Sequence, residues 1–273
     1  MGDQVAELTV ARHGQSVANV AFAAAQTAGI RDCGVTGPDA DVELSPLGRA
    51  QAEALGCWLA GLPAARRPEV VVCSPYVRAQ QTLQCATDTA GDLGVRLPTA
   101  IVDARACDRL MGELELLTPA LIAERFPAEA ARRRDAGEFA YRPPGGESFG
   151  DIAVRLGAVM HDLHAQHAGR RVFLIAHDAV VLMLRYVIER LTFDDLATIM
   201  QGGPVANASL TRFDGSSGRL ALVQYNAVDH LTDQTPDRSG VSCNLGARCK
   251  KRERAWKSAH LQDWRNRDAT DSA

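Results

Sequence analysis

No apolar run in the sequence approaches the roughly 18 residues that a membrane-spanning helix requires. The first residues, Met1-Gly2-Asp3-Gln4-Val5-Ala6-Glu7, are acidic and lead at once into a strand-like segment, unlike a secretory signal. Ala6 stands where a myristoylation motif needs Ser or Thr. The seven cysteines are odd in number and contain no Cys-x-x-Cys pair, which argues against a disulfide framework and against a zinc site. Reduced thiols serving as small apolar residues, in a cytoplasmic protein, are expected instead. A charge excess is missing too. Lys and Arg number 30 against 33 Asp and Glu, for a formal charge of −3, so bulk attraction to nucleic acid or to a membrane surface is not expected. There is no Gly-x-x-x-x-Gly-Lys-Ser/Thr loop and no His-Glu-x-x-His or comparable ligand spacing, so neither a nucleotide of the P-loop kind, nor a metal, nor another cofactor is expected. What remains is a chain of 273 residues, 46% hydrophobic, long enough to bury a substantial core.

Three short apolar runs stand out: Leu8-Thr9-Val10-Ala11, Val70-Val71-Val72-Cys73 and Val172-Phe173-Leu174-Ile175-Ala176. Their length and composition predict strands buried on both faces of a parallel sheet. Helical stripes lie between them: Pro46 to Leu62 after a Ser45 cap, a helix opened by Ser74-Pro75, Glu147 to His167, and Asp178 to Glu189 directly after the third strand. Ala208 to Phe213 and Leu220 to Tyr225, flanking Asp214-Gly215-Ser216-Ser217-Gly218, predict a hairpin. This alternation implies a three-layer α/β/α sandwich with a mostly parallel sheet. Residues 118–146 are expected as a helical, lid-like insertion within a catalytic domain spanning 1–230. From about 231 the composition turns polar, with nine basic and four acidic residues over 238–273. A flexible, solvated tail is expected there, with one helix around Arg252 to Trp264; a docking segment is the sharper alternative.

The chemistry-bearing residues follow the strands. The first run ends in Arg12-His13-Gly14, the second is followed by Ser74-Pro75-Tyr76-Val77-Arg78, and the third ends in His177-Asp178. Ligands of parallel α/β sheets bind outside the carboxyl ends of the strands. If the three strands are neighbours, two histidines and two arginines converge on one edge. Guanidinium forks match phosphate oxygens, and a neutral imidazole beside them is a competent nucleophile towards phosphorus.

Four ordered segments, Arg12-His13-Gly14-Gln15-Ser16-Val17-Ala18-Asn19, Leu44 to Ala52, Cys73 to Thr82 and Ile175-Ala176-His177, resemble the histidine phosphatase (phosphoglycerate mutase-like) superfamily over residues 7 to 226. The resemblance implies a phosphoglycerate mutase-like fold and a phosphohistidine intermediate on His13. It implies a phosphate pocket of Arg12, Arg78 and His177, with Asn19 adding a hydrogen bond and Gln15 and Ser16 as weaker substrate contacts. Asn207 receives a supporting role.

Release of an alkoxide needs a proton donor, usually a carboxylic acid. The family places it between the second and third runs, where Asp108, Glu113 and Glu115 are candidates. Reading back four residues from Gly112, in the manner of the family pattern, selects Asp108 over Glu113, with Asp one methylene shorter than the usual Glu. Tyr141-Arg142-Pro143-Pro144-Gly145-Gly146-Glu147-Ser148 is similar to a segment of fructose-2,6-bisphosphatases and broad-specificity phosphatases. Gly145 replaces the lysine that binds the second phosphate of fructose 2,6-bisphosphate, which argues against that substrate and leaves Arg142 as a weaker substrate contact. Arg132-Arg133-Arg134 is read as a solvated helix face rather than a second phosphate site. Three functions therefore stand in order: a metal-independent phosphomonoester hydrolase acting on a phosphorylated small molecule, a 2,3-bisphosphoglycerate-dependent mutase, and a catalytically weak binder of phosphorylated ligands.

Overall fold

The three apolar runs lie side by side in the middle of a six-stranded sheet of order β3-β2-β4-β1-β5-β6. The computed structural model describes residues 4–232. Its elements are β1 (Glu7–Arg12), α1 (Val17–Ala28), α2 (Pro46–Gly61), β2 (Val70–Cys73), α3 (Val77–Asp92), β3 (Ala100–Val102), α4 (Pro119–Arg125), α5 (Pro127–Ala136), α6 (Phe149–His167), β4 (Arg171–Ala176), α7 (Asp178–Glu189), α8 (Phe193–Gln201), β5 (Leu210–Asp214) and β6 (Ala221–Ala227). The expected tail and its helix lie outside the described residues except for Leu231 and Thr232. No helix among the described residues is long and apolar enough to cross a membrane.

β1, β2, β3 and β4 run parallel, and β5 and β6 close the sheet as an antiparallel pair. Alternation along each central strand feeds two cores. Leu8, Val10, Val70, Val72, Val172 and Leu174 pack with α6 and α7 on one face. Ala11, Val71, Cys73, Phe173 and Ile175 pack with Leu55 and Leu59 of α2 and with α3 on the other. Both faces are therefore dry, and the expected three layers follow. Register aligns the strand ends: Ala11 lies opposite Ile175, and Cys73 opposite the same residue.

One helix begins later than expected. Tyr76, not Ser74, is the N-cap of α3, and no side chain caps it. The Ser74 hydroxyl is engaged with His177 and accepts the Tyr76 N–H, so it serves the site rather than the helix. Residues 118–146 contain the expected helices, α4 and α5, which share a small core around Leu114, Ile122 and Tyr141.

The loop carrying Asp108 is locked by glycines. Gly112 has φ +55°, and a Cβ there would lie 2.1 Å from the Pro144 carbonyl oxygen. The two loops exchange backbone bonds, Glu113 N–H to Pro144 O (3.0 Å) and Glu147 N–H to Leu110 O (2.8 Å). Alanine at 112 combines a left-handed backbone with an overlap, so Gly112→Ala is expected to destabilise the protein by about 2–4 kcal/mol. For a domain of this size thermal unfolding should then shift down by roughly 5–10 °C. A shift within 1–2 °C would show that the loops part easily.

Candidate active site

Past the ends of the strands the ladder continues for one more bond each. The His13 N–H donates to Ala176 O (2.9 Å) and the Ser74 N–H to Ile175 O (3.0 Å), which fixes both segments at the carboxyl edge. His13 is buried, and its Nδ1 lies 2.6 Å from the Gly14 carbonyl oxygen. A carbonyl can only accept, so Nδ1 carries the proton and Nε2 holds the lone pair. The Arg78 Nε–H donates to that Nε2 at 3.2 Å. Burial first, and then the charges of His177, Arg78 and Arg12, push the His13 pKa well below the ordinary imidazole value, against the smaller pull of the Gly14 carbonyl. The imidazole is thus neutral and poised as a base or nucleophile at Nε2.

His177 is fully buried at the N-cap of α7, its ring 5.2 Å from that of His13. Its Nε2 lies 2.7 Å from the Ser74 hydroxyl, and its Nδ1 is 3.3 Å from the Asp108 carboxylate without hydrogen-bond alignment. Burial lowers its pKa, and Asp108 offsets this only in part. Arg12 donates to the Val205 carbonyl and lies 4.0 Å from Asp178. Its buried Nε has no hydrogen-bond partner among the described residues.

Arg78 is the centre of the charge arrangement. It donates to both carboxylate oxygens of Asp39 (3.0 and 2.9 Å) and to Asp108 (3.0 Å). Burial pushes the Asp108 carboxyl up, but His177, Arg78 and the Arg109 N–H outweigh it and hold the group well below the usual carboxylate range. Its backbone is braced from behind, where Arg155 donates to the Asp108 carbonyl (3.0 Å) while paired with Glu147. The Gly-Glu-Ser segment therefore supports the Asp108 loop.

Ser16 caps α1, and its partner in a reciprocal box is Asn19, whose Oδ1 accepts the Ser16 N–H (3.0 Å). Asn207 donates to the same Oδ1 (3.1 Å) and to the His13 carbonyl (3.2 Å), a supporting role. This leaves the Asn19 Nδ2 as its donor towards a ligand. Arg12, His13, Ser16, Asn19, Arg78 and Asp108 all line one cavity of about 370 Å³, with His177 packed behind His13.

Two expected substrate contacts are not brought there. Gln15 accepts from the Ser45 hydroxyl at the cap of α2 (2.8 Å), and its amide is used in joining two elements. Arg142 is exposed and pairs with Asp151 in the first turn of α6. Glu113 is exposed and also outside the cavity lining, which favours Asp108 between the two. Of the arginine run, Arg132 pairs with Glu129 and Arg133 with Glu138 on α5, and none of the three lines the cavity. Among the described residues no group of three His, Cys, Asp or Glu is placed to hold a metal ion.

Asp39 is the residue that sequence reasoning missed. It opens a single 3-10 turn, Asp39–Asp41, in the long connection between α1 and α2, and no local pattern announces that it reaches Arg78. Its carboxylate occupies the guanidinium edge that an oxyanion would use. Asp39→Asn is expected to tighten binding of inorganic phosphate about tenfold, since a charge-assisted bond must otherwise be exchanged. Calorimetric titration with phosphate checks this; weaker binding in the variant would mean that Asp39 orients Arg78 rather than competing for it.

The profile of the histidine phosphatase superfamily (branch 1) matches residues 8–228. A glucosyl-3-phosphoglycerate phosphatase from Mycolicibacterium vanbaalenii is 30% identical over 235 residues, 81% of this chain and 92% of that protein. A 2,3-bisphosphoglycerate-dependent phosphoglycerate mutase 2 from Gloeobacter violaceus is 30% identical over 238 residues, 86% of this chain and 98% of that protein. The solved structure of a mycobacterial glucosyl-3-phosphoglycerate phosphatase complexed with VO3 superposes with a TM-score of 0.63 at 29% identity, over 81% of this chain and 99% of the other.

Proposed function

The chain belongs to branch 1 of the histidine phosphatase superfamily, and we propose that it hydrolyses phosphate monoesters of small molecules, without a metal, through a phosphohistidine on His13. The observation that carries this reading is the His13 tautomer, with Nδ1 tied to Gly14 O and the Nε2 lone pair facing Arg78. The phosphoryl group displaces Asp39 and Asp108 from Arg78 and is held by Arg12, Arg78, His177 and the Asn19 amide. His13 Nε2 forms the N–P bond as the ester P–O bond breaks. Asp108, once the dianion shares its cationic partners, takes up a proton and passes it to the leaving oxygen. Asp108 then accepts a proton from the water that attacks phosphorus, the N–P bond breaks, and phosphate leaves. The Nδ1–H bond to Gly14 O stabilises the positive charge on the phosphorylated ring.

A mutase reading has the Gloeobacter relative in its favour. It requires that a phosphorylated acid be rebound with both anionic groups held, and the arginine run that could do so lies outside the cavity. Hydrolysis is therefore the better reading. Among the described residues Cys33, Cys57, Cys73, Cys85 and Cys107 form no disulfide, which suits a reducing cytoplasm. The deciding experiment is rapid acid-free quenching of the enzyme during turnover of phenyl phosphate with EDTA present. Acid-labile, base-stable phosphate on the protein and steady release of phosphate are expected. Turnover that EDTA abolishes, or a protein that binds phosphate with neither adduct nor turnover, would overturn the reading.

A further inference from the structure

The cavity has two parts of opposite character. Its floor holds the groups just described. The rest of its lining, its wall, is largely hydrocarbon and includes Phe22 of α1, Met111, Leu114 and Leu117 of the segment after Asp108, Leu182 of α7 and Met200 of α8. A leaving group attached to a phosphoryl group on His13 and Arg78 must lie along this wall, because the floor is taken.

The charges around the wall are unusual for a site that would receive a second anion. Among the described residues lining the cavity, Arg109 is the one cation beyond Arg12 and Arg78. Each of its three guanidinium nitrogens already donates to the protein: Nε to Glu147 O (3.0 Å), one terminal nitrogen to Glu138 (2.8 Å) and the other to Tyr141 O (2.9 Å). It also stacks 4.5 Å from the Phe149 ring, with its side chain 8% exposed. Two carboxylates, Glu115 and Asp178, line the cavity besides Asp39 and Asp108. Glu115 accepts the Asp39 N–H at 3.4 Å, which sets it beside the loop that covers Arg78. Three guanidiniums thus face four carboxylates around a buried floor with two neutral histidines.

We propose that the substrate's leaving group is an uncharged, largely apolar alcohol, and that the wall with Glu115 rejects phosphate esters bearing a carboxylate or a second phosphate. This rests on the hydrolase reading above and adds its substrate class. A carboxylate carried into the wall would lose its hydration against hydrocarbon, would meet Glu115, and would find no unpaired cation. A neutral chain or ring of the same shape gains from burial against the same six side chains.

The test uses a matched pair in which only the distal charge changes: 4-(2-carboxyethyl)phenyl phosphate and its carboxamide. Two methylenes insulate the acid from the ring, so the leaving phenols are nearly alike. For the full-length protein kcat/KM should favour the carboxamide by at least about 30-fold, in the range that pocket discrimination reaches. Glu115→Gln should narrow that ratio by improving the carboxylate. Equal turnover of the pair, or turnover of 3-phosphoglycerate matching the carboxamide, would overturn the inference and leave the hydrolase reading standing. If neither ester is hydrolysed and no acid-labile phosphate forms on the protein, the hydrolase reading falls and the inference with it.

Discussion

His13→Ala is expected to abolish turnover of phenyl phosphate, with kcat falling on the order of 10⁴- to 10⁶-fold as for other lost nucleophiles, and to abolish the acid-labile adduct. The expectation comes from the tautomer rather than from the presence of a histidine. With Nδ1 committed to Gly14 O at 2.6 Å, only Nε2 can attack, and it is the nitrogen that faces Arg78. The lowered pKa favours the neutral ring, so the lone pair is not lost to protonation at pH 7. His177 cannot substitute. Its Nε2 is bonded to Ser74 and its Nδ1 faces Asp108, so neither nitrogen is presented to phosphorus in the same way. Circular dichroism should show the variant folded, because His13 lies past the end of β1 and outside the apolar cores on the two faces of the sheet. Residual kcat above about 1% of wild type, in a folded variant, would mean that water attacks directly and that His13 only binds.

Much of this arrangement was legible in the sequence because the central strands are buried on both faces. Such strands are short apolar runs, and the residue after each run must then sit at the carboxyl edge. Arg12, His13, Arg78 and His177 meet at that edge for this reason. β3 was not read, because Ala100–Val102 is a three-residue edge strand with Ile101 and Val102 exposed, and so carries no burial signature. α1 carries no clear helical stripe, because half of its residues are alanine and Val17 and Val20 are exposed. Asp39 could not be found, since an irregular turn reaches Arg78 only through the tertiary fold. Arg142 was misplaced by its neighbours: the segment around it is a brace for the Asp108 loop, with Glu147 and Arg155 doing the holding, and Arg142 itself pairs outward with Asp151. Ser74-Pro75 predicts a helix cap, whereas the position of Ser74 one residue past β2 gives its hydroxyl to His177.

Asp108→Asn should separate substrates by their leaving groups. Alkyl phosphates, whose alkoxides need a proton as they depart, are expected to lose about 10²- to 10⁴-fold in kcat, the usual worth of general acid catalysis. Nitrophenyl phosphate, whose phenolate leaves unaided, should lose far less. The sign of the pH dependence follows from the electrostatics. In the free enzyme Arg78 and His177 hold the Asp108 carboxyl well below the usual range, so it is ionised at pH 7 and must gain its proton with the substrate. For alkyl esters kcat/KM of the wild type should therefore fall as pH rises from 6 to 8, by up to about tenfold per unit. His13 does not oppose this trend near neutrality, because its depressed pKa favours the neutral ring. In Asp108→Asn the decline with rising pH should flatten, since no proton on residue 108 remains to be lost. Glu113→Gln, at an exposed position outside the cavity, should keep both the rate and the slope. The reverse pattern, a flat profile in wild type and a leaving-group-dependent loss in Glu113→Gln, would transfer the donor's role to Glu113 and leave Asp108 as a clamp on Arg78.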